Sequence, residues 1–394
     1  MVAGILCTTV AVGGSASLSP APIPLAENNA PRVESAFEPI VRGVLESMQV
    51  PGAVVFVRTP NILWQRAFGT RVLGRDDAVS VRDSFRVGST TKTMVGTVAL
   101  QLVQEGKLKL DDPVSRYRRD VPNGHRITIA DLLSMRSGLF SYNEARSMAI
   151  AMDDEPDRVW EPEELLELGF SSPPYSPPGT EFRYSNTNTI LLAQLLEQIT
   201  GEDIGSLLAT RVFRPLNLVG TFFPSAGDAQ VPSPSPRGYL YGTNVAALSS
   251  ARLPDEQIRA ARNGVLQPAD VTDLNPSWIG AAGAAISTAE DLAAYVRTLV
   301  SGTTLLDVEL QRLRLDSVAA DRRDPSVIRY GLGLESFGPL IGHDGAIPGF
   351  QTFMGHDPET DTTIIVLCTL RDGPAGGRPA NEIAYGLARS LAEG

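Results

Sequence analysis

Lysine and histidine are nearly missing from this 394-residue chain: three of its 34 basic side chains are lysine (Lys92, Lys107, Lys109), and the three histidines are His125, His343 and His356. Cysteine is as scarce, with Cys7 and Cys368 alone, so no disulfide framework is expected. No basic tract occurs and the formal charge is −11, so electrostatic capture of nucleic acid is not expected. No run of about 18 apolar residues suggests a membrane span. Also missing are H-E-x-x-H, clustered Cys/His, the phosphate-cradling G-x-x-x-x-G-K-[ST] and a G-x-G-x-x-G between strand and helix. No metal and no cofactor is therefore expected. The nucleophile elbow G-x-S-x-G is absent too, which argues against an α/β-hydrolase. What remains, at 43% hydrophobic and 20% charged, is a soluble globular chain with ample length for a large core.

Residues 1–26 carry no charge and pair an apolar run, Val2 to Val12, with the small-residue segment Gly13 to Ser17. They read as a secretory signal or a disordered N-terminus, which points to a secreted or cell-envelope bacterial protein. Residues 33–394 then read as one domain. Val33 to Gln49 forms an amphipathic helix, and Pro51–Thr59 and Leu63–Gly69 read as strands. Helical patterns follow at Thr90–Gln104, Ile127–Met135, Pro162–Leu168 and Thr189–Leu208. Pro224–Pro276 reads as long surface connections around a short helix near Asp255–Asn263. A helix at Thr288–Leu299 precedes strands at Tyr330–Phe337, Phe350–His356 and Thr362–Leu370, and Asn381–Leu391 closes the chain as a helix. This order predicts an α+β fold, with an antiparallel sheet built from about 33–85 and 326–394 and a helical region inserted at about 86–325.

The scarce residues mark the chemistry. Ser89-Thr90-Thr91-Lys92 follows a strand-like Phe85-Arg86-Val87-Gly88 and opens a helix. A serine there has free backbone N–H groups and the positive end of the helix dipole beside it, which favours a developing oxyanion. Lys92, three residues on, shares its face. Burial would lower the lysine pKa and let the amine take the serine proton. Alone, S-x-x-K is a weak signal, and an ordinary N-cap serine is then the favoured reading. Tyr184-Ser185-Asn186, the single Y-x-N, and His343-Asp344-Gly345, the single [KH]-x-G, follow it in order.

With these motifs the chain resembles the penicillin-recognising serine hydrolases, in the branch of class C β-lactamases, D-Ala-D-Ala carboxypeptidases and esterases. Leu132-Leu133-Ser134-Met135-Arg136-Ser137-Gly138-Leu139, Pro215-Leu216-Asn217-Leu218 and Tyr330-Gly331-Leu332-Gly333 add to the likeness, which spans Phe37 to Leu391. The resemblance implies the β-lactamase/transpeptidase fold, with Ser89 as nucleophile and Lys92 and Tyr184 sharing the proton transfers. Asn186 would hold the acyl amide and the Lys92 amine. The N–H groups of Ser89 and Ala346, next to Gly345, would form the oxyanion hole. His343 would stand at the strand-triad position, and Trp278 would border the substrate cleft. His125 and His356 have no motif around them.

Two departures bear on substrate. The central triad residue is Asp344 where the family has threonine or serine, and Glu335 follows Gly331-Leu332-Gly333-Leu334 where a carboxypeptidase relative has a cation. Both would repel a substrate carboxylate. The long connection from Asn244 to Asn275 would reshape the acyl pocket. The expected activity is an acyl-enzyme serine hydrolase of the D-Ala-D-Ala carboxypeptidase or D-peptidase type. Its alternatives are a carboxylesterase or amidase, then a β-lactamase, and last a non-enzymatic penicillin-binding scaffold. The expected partner is a small-molecule or peptide substrate: a D-Ala-D-Ala peptide, an ester, an amide or a β-lactam.

Overall fold

In the computed structural model, residues 30–318 and 329–393 are described. The signal-like segment, Cys7 and the proposed start of the second half of the sheet at 326 lie outside them. Seven strands, β1 (Gly52–Arg58), β2 (Leu63–Gly69), β3 (Arg329–Tyr330), β4 (Glu335–Phe337), β5 (Leu340–Ile347), β6 (Phe350–Asp357) and β7 (Thr362–Cys368), form one sheet in the order β2-β1-β7-β6-β5-β4-β3. Every neighbouring pair is antiparallel. The pairing of β1 with β7 joins the two ends of the chain, with Ala53 opposite Cys368 and Arg58 opposite Thr363.

Both faces of the central strands are covered, so these strands read as nearly continuous apolar runs rather than as alternating ones. Successive side chains still point to opposite faces. Val54 and Phe56 of β1, with Ile365 and Leu367 of β7, join the core under the helices between the two halves of the sheet. Ala53, Val55 and Val57, with Ile364, Val366 and Cys368, join a second core. That outer core is roofed by α1 (Ala30–Met48), which buries Phe37 and Val41, and by the C-terminal helix Pro379–Glu393, which buries Ile383, Ala384 and Leu387. No helix among the described residues is long and apolar enough to cross a membrane.

The inner layer is built around two helices buried along most of their length, α2 (Thr91–Gln104) and α3 (Asn186–Thr200). The expected helix at Thr189–Leu208 is two helices. The first closes at Gly201, and Asp203 caps the next, Ile204–Leu208, by accepting from the Ser206 N–H. The expected strand at Tyr330–Phe337 is likewise two short strands, β3 and β4, joined by a turn in which the Gly331 N–H donates to the Leu334 carbonyl. The helix at Asp255–Arg262 is where the pattern places it, and it buries Ile258 and Ala261 in the outer core. Helices at Arg146–Asp154 and Val308–Asp316 escaped the sequence reading.

Candidate active site

The nucleophile turn, Gly88–Thr90, leads into α2 and is held from below by the segment Ala285–Ser287. The Val87 N–H donates to the Ala285 carbonyl, Thr91 Oγ1 accepts from the Ala285 N–H, and Phe85 and Arg86 pair with Ser287 and Ile286. From the other side β5 lies against the turn with no room for a side chain. A Cβ at Gly345 would stand 2.0 Å from the Val87 carbonyl oxygen and 3.1 Å from the Ser89 nitrogen. Gly88, at φ +55°, would put a Cβ 2.9 Å from the Ala346 nitrogen. Two glycines thus bring the amides of Ser89 and Ala346 to one end of the cleft, the arrangement an oxyanion requires.

Lys92 is buried, with Nζ 2.9 Å from Ser89 Oγ and 2.6 Å from the Ala282 carbonyl oxygen. Loss of water lowers its pKa to about 7, against the smaller opposing pull of Glu335 and Asp344. A neutral amine is therefore well populated near pH 7, and its lone pair can accept the Ser89 proton. The Lys92 ammonium position lies 4.9 Å from the centre of the Tyr184 ring. Burial of the Tyr184 hydroxyl, with Tyr330 and the carboxyl groups of Glu335 and Asp344 close by, holds the phenol protonated, although its hydroxyl interacts with Ser89. Those opposite displacements suit an amine to take up a proton and a phenol to hold one.

Asn186, the first residue of α3, does not meet Lys92, whose polar partners are Ser89 and Ala282. Its Nδ2 donates to Asn143 Oδ1 at 2.8 Å, and its backbone N–H donates to Ser141 Oγ at 2.9 Å. Asn186 Oδ1 is buried with no partner, which leaves an unmet acceptor in the wall of the cleft. Asn143 is a cleft residue that sequence reasoning missed, since Ser141-Tyr142-Asn143 carries no spacing that sets it apart.

The strand triad differs most from expectation. His343 is fully buried and is not among the residues lining the cleft. Its Nδ1 lies 2.5 Å from the Asp344 carbonyl oxygen, which can only accept, so Nδ1 carries the proton and Nε2 accepts from the Tyr330 hydroxyl at 3.2 Å. Burial lowers its pKa to about 4. It is a neutral support: the His343 and Tyr330 rings both stand edge-on to Tyr184, with centroids 6.3 and 5.9 Å away. Asp344 is not the free anion that its position in the sequence suggests. Its carboxylate accepts from Arg378 Nη1 at 2.5 Å and from Asn381 Nδ2 at 2.9 Å. Glu335 is neutral at pH 7 for a different reason: burial, and next the charge of Asp344, raises its pKa to about 8. The expected pair of repelling carboxylates is thus one carboxyl acid and one ion pair.

The cleft lined by Ser89, Tyr184, Asn186, Glu335, Ala346 and Arg378 measures about 670 Å³. Beyond Asn143, Glu144 and Arg183 it continues into a hollow of about 480 Å³ bordered by Met152, Leu248 and Trp278. Trp278 therefore borders this side chamber rather than Ser89 itself. The start of the 244–275 connection reaches the same hollow, because the Asp153 carboxylate accepts from the N–H groups of Asn244 and Val245 and pins the helix Asn244–Ala247 there. Among the described residues, the one set that could hold a cation is Glu335, His343 and Asp344. Asp344 is already paired there, and His343 Nδ1 is already bonded.

The Beta-lactamase family model matches residues 37–388, most of the chain. The chain belongs to the Beta-lactamase family. Its α+β fold is that of the β-lactamases and transpeptidases, and it is a serine hydrolase by family. Among solved structures similar to it, a D-stereospecific amidohydrolase from Streptomyces is 29% identical, with a TM-score of 0.72 over 88% of this chain and 97% of the other. The D-amino acid amidase of Ochrobactrum anthropi SV3 complexed with D-phenylalanine is 23% identical, with a TM-score of 0.74 over 91% and 99%. A penicillin-binding protein from Bacillus halodurans is 19% identical, with a TM-score of 0.69 over 90% and 99%. The last two share the fold of this family member.

Proposed function

We propose that this chain hydrolyses amide bonds of short D-amino-acid derivatives, D-amino-acid amides and small D-peptides, through an acyl-enzyme on Ser89. The observation that carries the reading is the buried Lys92 amine, 2.9 Å from Ser89 Oγ with a pKa of about 7, beside a phenol that stays protonated. Ser89 Oγ attacks the carbonyl carbon while its proton passes to Lys92 Nζ, and the carbonyl electron pair moves onto oxygen between the amides of Ser89 and Ala346. When the C–N bond breaks, the leaving amine takes a proton from Tyr184, which Lys92 replaces. Water then attacks the ester, giving its proton to the same pair, and Ser89 is released.

The substrate class rests on both ends of the cleft. On the acyl side, the unmet acceptor of Asn186 would pair with a substrate N–H after a small rotation of its amide, and the hollow bordered by Met152, Leu248 and Trp278, with Glu144, Arg183 and Arg371 around it, has room for the acyl side chain. Arg378, a cation lining the cleft, is engaged by Asp344, which suits a leaving group such as ammonia or an amine without a carboxylate. The Streptomyces amidohydrolase and the D-amino acid amidase, as described, favour the same class. A D-Ala-D-Ala carboxypeptidase is the second reading, because the Arg378 side chain is half exposed and lines the cleft. An esterase comes next and a β-lactamase after it. Export to the cell envelope, read from residues 1–26, belongs to the same proposal, and an intact N-terminus in cytoplasmic fractions would remove it.

The deciding experiment compares the protein and its Ser89→Ala variant on D-phenylalanine amide, L-phenylalanine amide, a D-Ala-D-Ala peptide, p-nitrophenyl acetate and a fluorescent penicillin. Ser89-dependent release of ammonia from the D-amide, with little from its L form, is expected. Faster release of D-alanine would select the carboxypeptidase, and hydrolysis of the ester alone would select the esterase. Persistent labelling by penicillin with no peptide release would select a penicillin-binding role.

A further inference from the structure

A second cavity shares a wall with the catalytic centre. It measures about 570 Å³ and opens between the helix Pro162–Ser171, α3 and the loop around Phe223. Trp160, Leu165, Ile190 and Phe223 give it an apolar body. Gly280, Ala281 and Ala284 form one side, and Ala282, between them, is the residue whose carbonyl holds Lys92 Nζ at 2.6 Å. With only methyl groups and glycine on that side, anything in contact with the wall is in contact with the turn that positions the lysine.

The charges around this cavity are unbalanced. Glu161, Glu197 and Asp203 line it against Arg214 alone. Glu197 uses one oxygen to accept from the Ile204 N–H at 2.7 Å, and Asp203 accepts from the N–H and hydroxyl of Ser206. Neither carboxyl has a cationic partner among the described residues. Burial, and to a smaller extent the charge of Asp203, raises the Glu197 pKa, and an ammonium placed between the two carboxyls would offset their mutual repulsion. An apolar chamber with two unpaired carboxyls at its polar end fits a ligand with an apolar body and one positive charge.

We propose that this cavity binds a small amphipathic amine, its body among Trp160, Leu165 and Phe223 and its ammonium against Glu197 and Asp203, and that occupancy acts on the reaction through the Ala282 carbonyl. The test uses phenethylamine, with 2-phenylethanol as the uncharged analogue, titrated calorimetrically into the full chain and two variants. Glu197→Gln keeps an acceptor for the Ile204 N–H and removes the charge. Thr210→Trp fills the exposed rim. At least tenfold weaker phenethylamine binding in each variant, and at least tenfold weaker binding of 2-phenylethanol by the parent, is expected. Equal binding by all three proteins would place the amine elsewhere, the catalytic cleft included, and overturn the site. Equal binding of the alcohol would overturn the ammonium assignment.

The second readout is Ser89-dependent hydrolysis of p-nitrophenyl acetate. Saturating phenethylamine should change kcat at least twofold in the parent and leave Thr210→Trp unaffected, while unchanged kcat with bound amine overturns the link to Lys92. Binding is read as heat, so failure of the proposed amidase activity and failure of this site are distinguishable.

Discussion

The two sides of the sheet follow opposite rules. On the outer side, Val55, Phe353, Val366 and their neighbours pack under α1 and the C-terminal helix. On the inner side, at the end where β5 meets α2, Lys92, His343, Glu335 and Asn186 are buried with displaced pKa values or an unmet hydrogen bond. Apolar burial stabilises the first region, while each buried ionisable group in the second gives up solvation that the fold does not fully return. The outer core therefore holds a site that works against stability, and the two can be disturbed separately.

The largest separation should come from Ser89→Ala. Turnover should fall at least about 10⁴-fold, as for loss of other catalytic serines, with an unchanged urea midpoint. A matching loss of stability would show that the nucleophile also supports the fold. Phe353→Ala is the converse: a loss of about 3–5 kcal/mol in urea unfolding, with kcat per folded molecule preserved. A fall in kcat of tenfold or more would mean that the two sides are coupled through the sheet.

Smaller effects test the sign of the electrostatics. Lys92 titrates near 7 folded and near its ordinary 10.5 unfolded, so the stability linked to its neutral form is present at high pH and lost as pH falls from about 10 to 7. Lys92→Met should gain stability over the parent as pH falls through that window and hold the gain below it. Denaturant curves across the range check this, and a gain that instead grows with rising pH would reverse the assignment. The parent's acylation rate should rise with pH and level off above about 7. Glu335 has the opposite linkage: its protonated form is favoured in the fold, so its stability is lost as pH rises from about 4.5 to about 8. Glu335→Gln should flatten that part of the stability profile and become the more stable protein above pH 8, as read by thermal unfolding.

The same contrast explains what could be read from sequence. The outer layer was legible because its evidence is local: the spacing of Phe37 and Val41 on a helix, and the apolar runs of β1 and β7. Ser89 and Lys92 were legible because three residues along a helix fix a shared face. Arg378 was not, because it lies in the Gly- and Pro-rich stretch before the last helix, where no periodicity operates, and 34 residues separate it from Asp344. Without it, Asp344 and Glu335 read as two like charges, and only the assembled site shows one paired and the other protonated. The role of His343 was hidden in the same way, since its tautomer depends on Tyr330 and on its neighbour's carbonyl.

The pairing of β1 with β7 has a consequence in time. The ribosome completes Ser89, Lys92 and Tyr184 long before it reaches Ala346, and β5 takes its place in the sheet only alongside β6 and β7. A growing or truncated chain therefore holds its nucleophile and base without the second oxyanion donor. The complete oxyanion site is therefore assembled last, with the C-terminal strands, and a chain that lacks them should acylate about 10²–10³-fold more slowly.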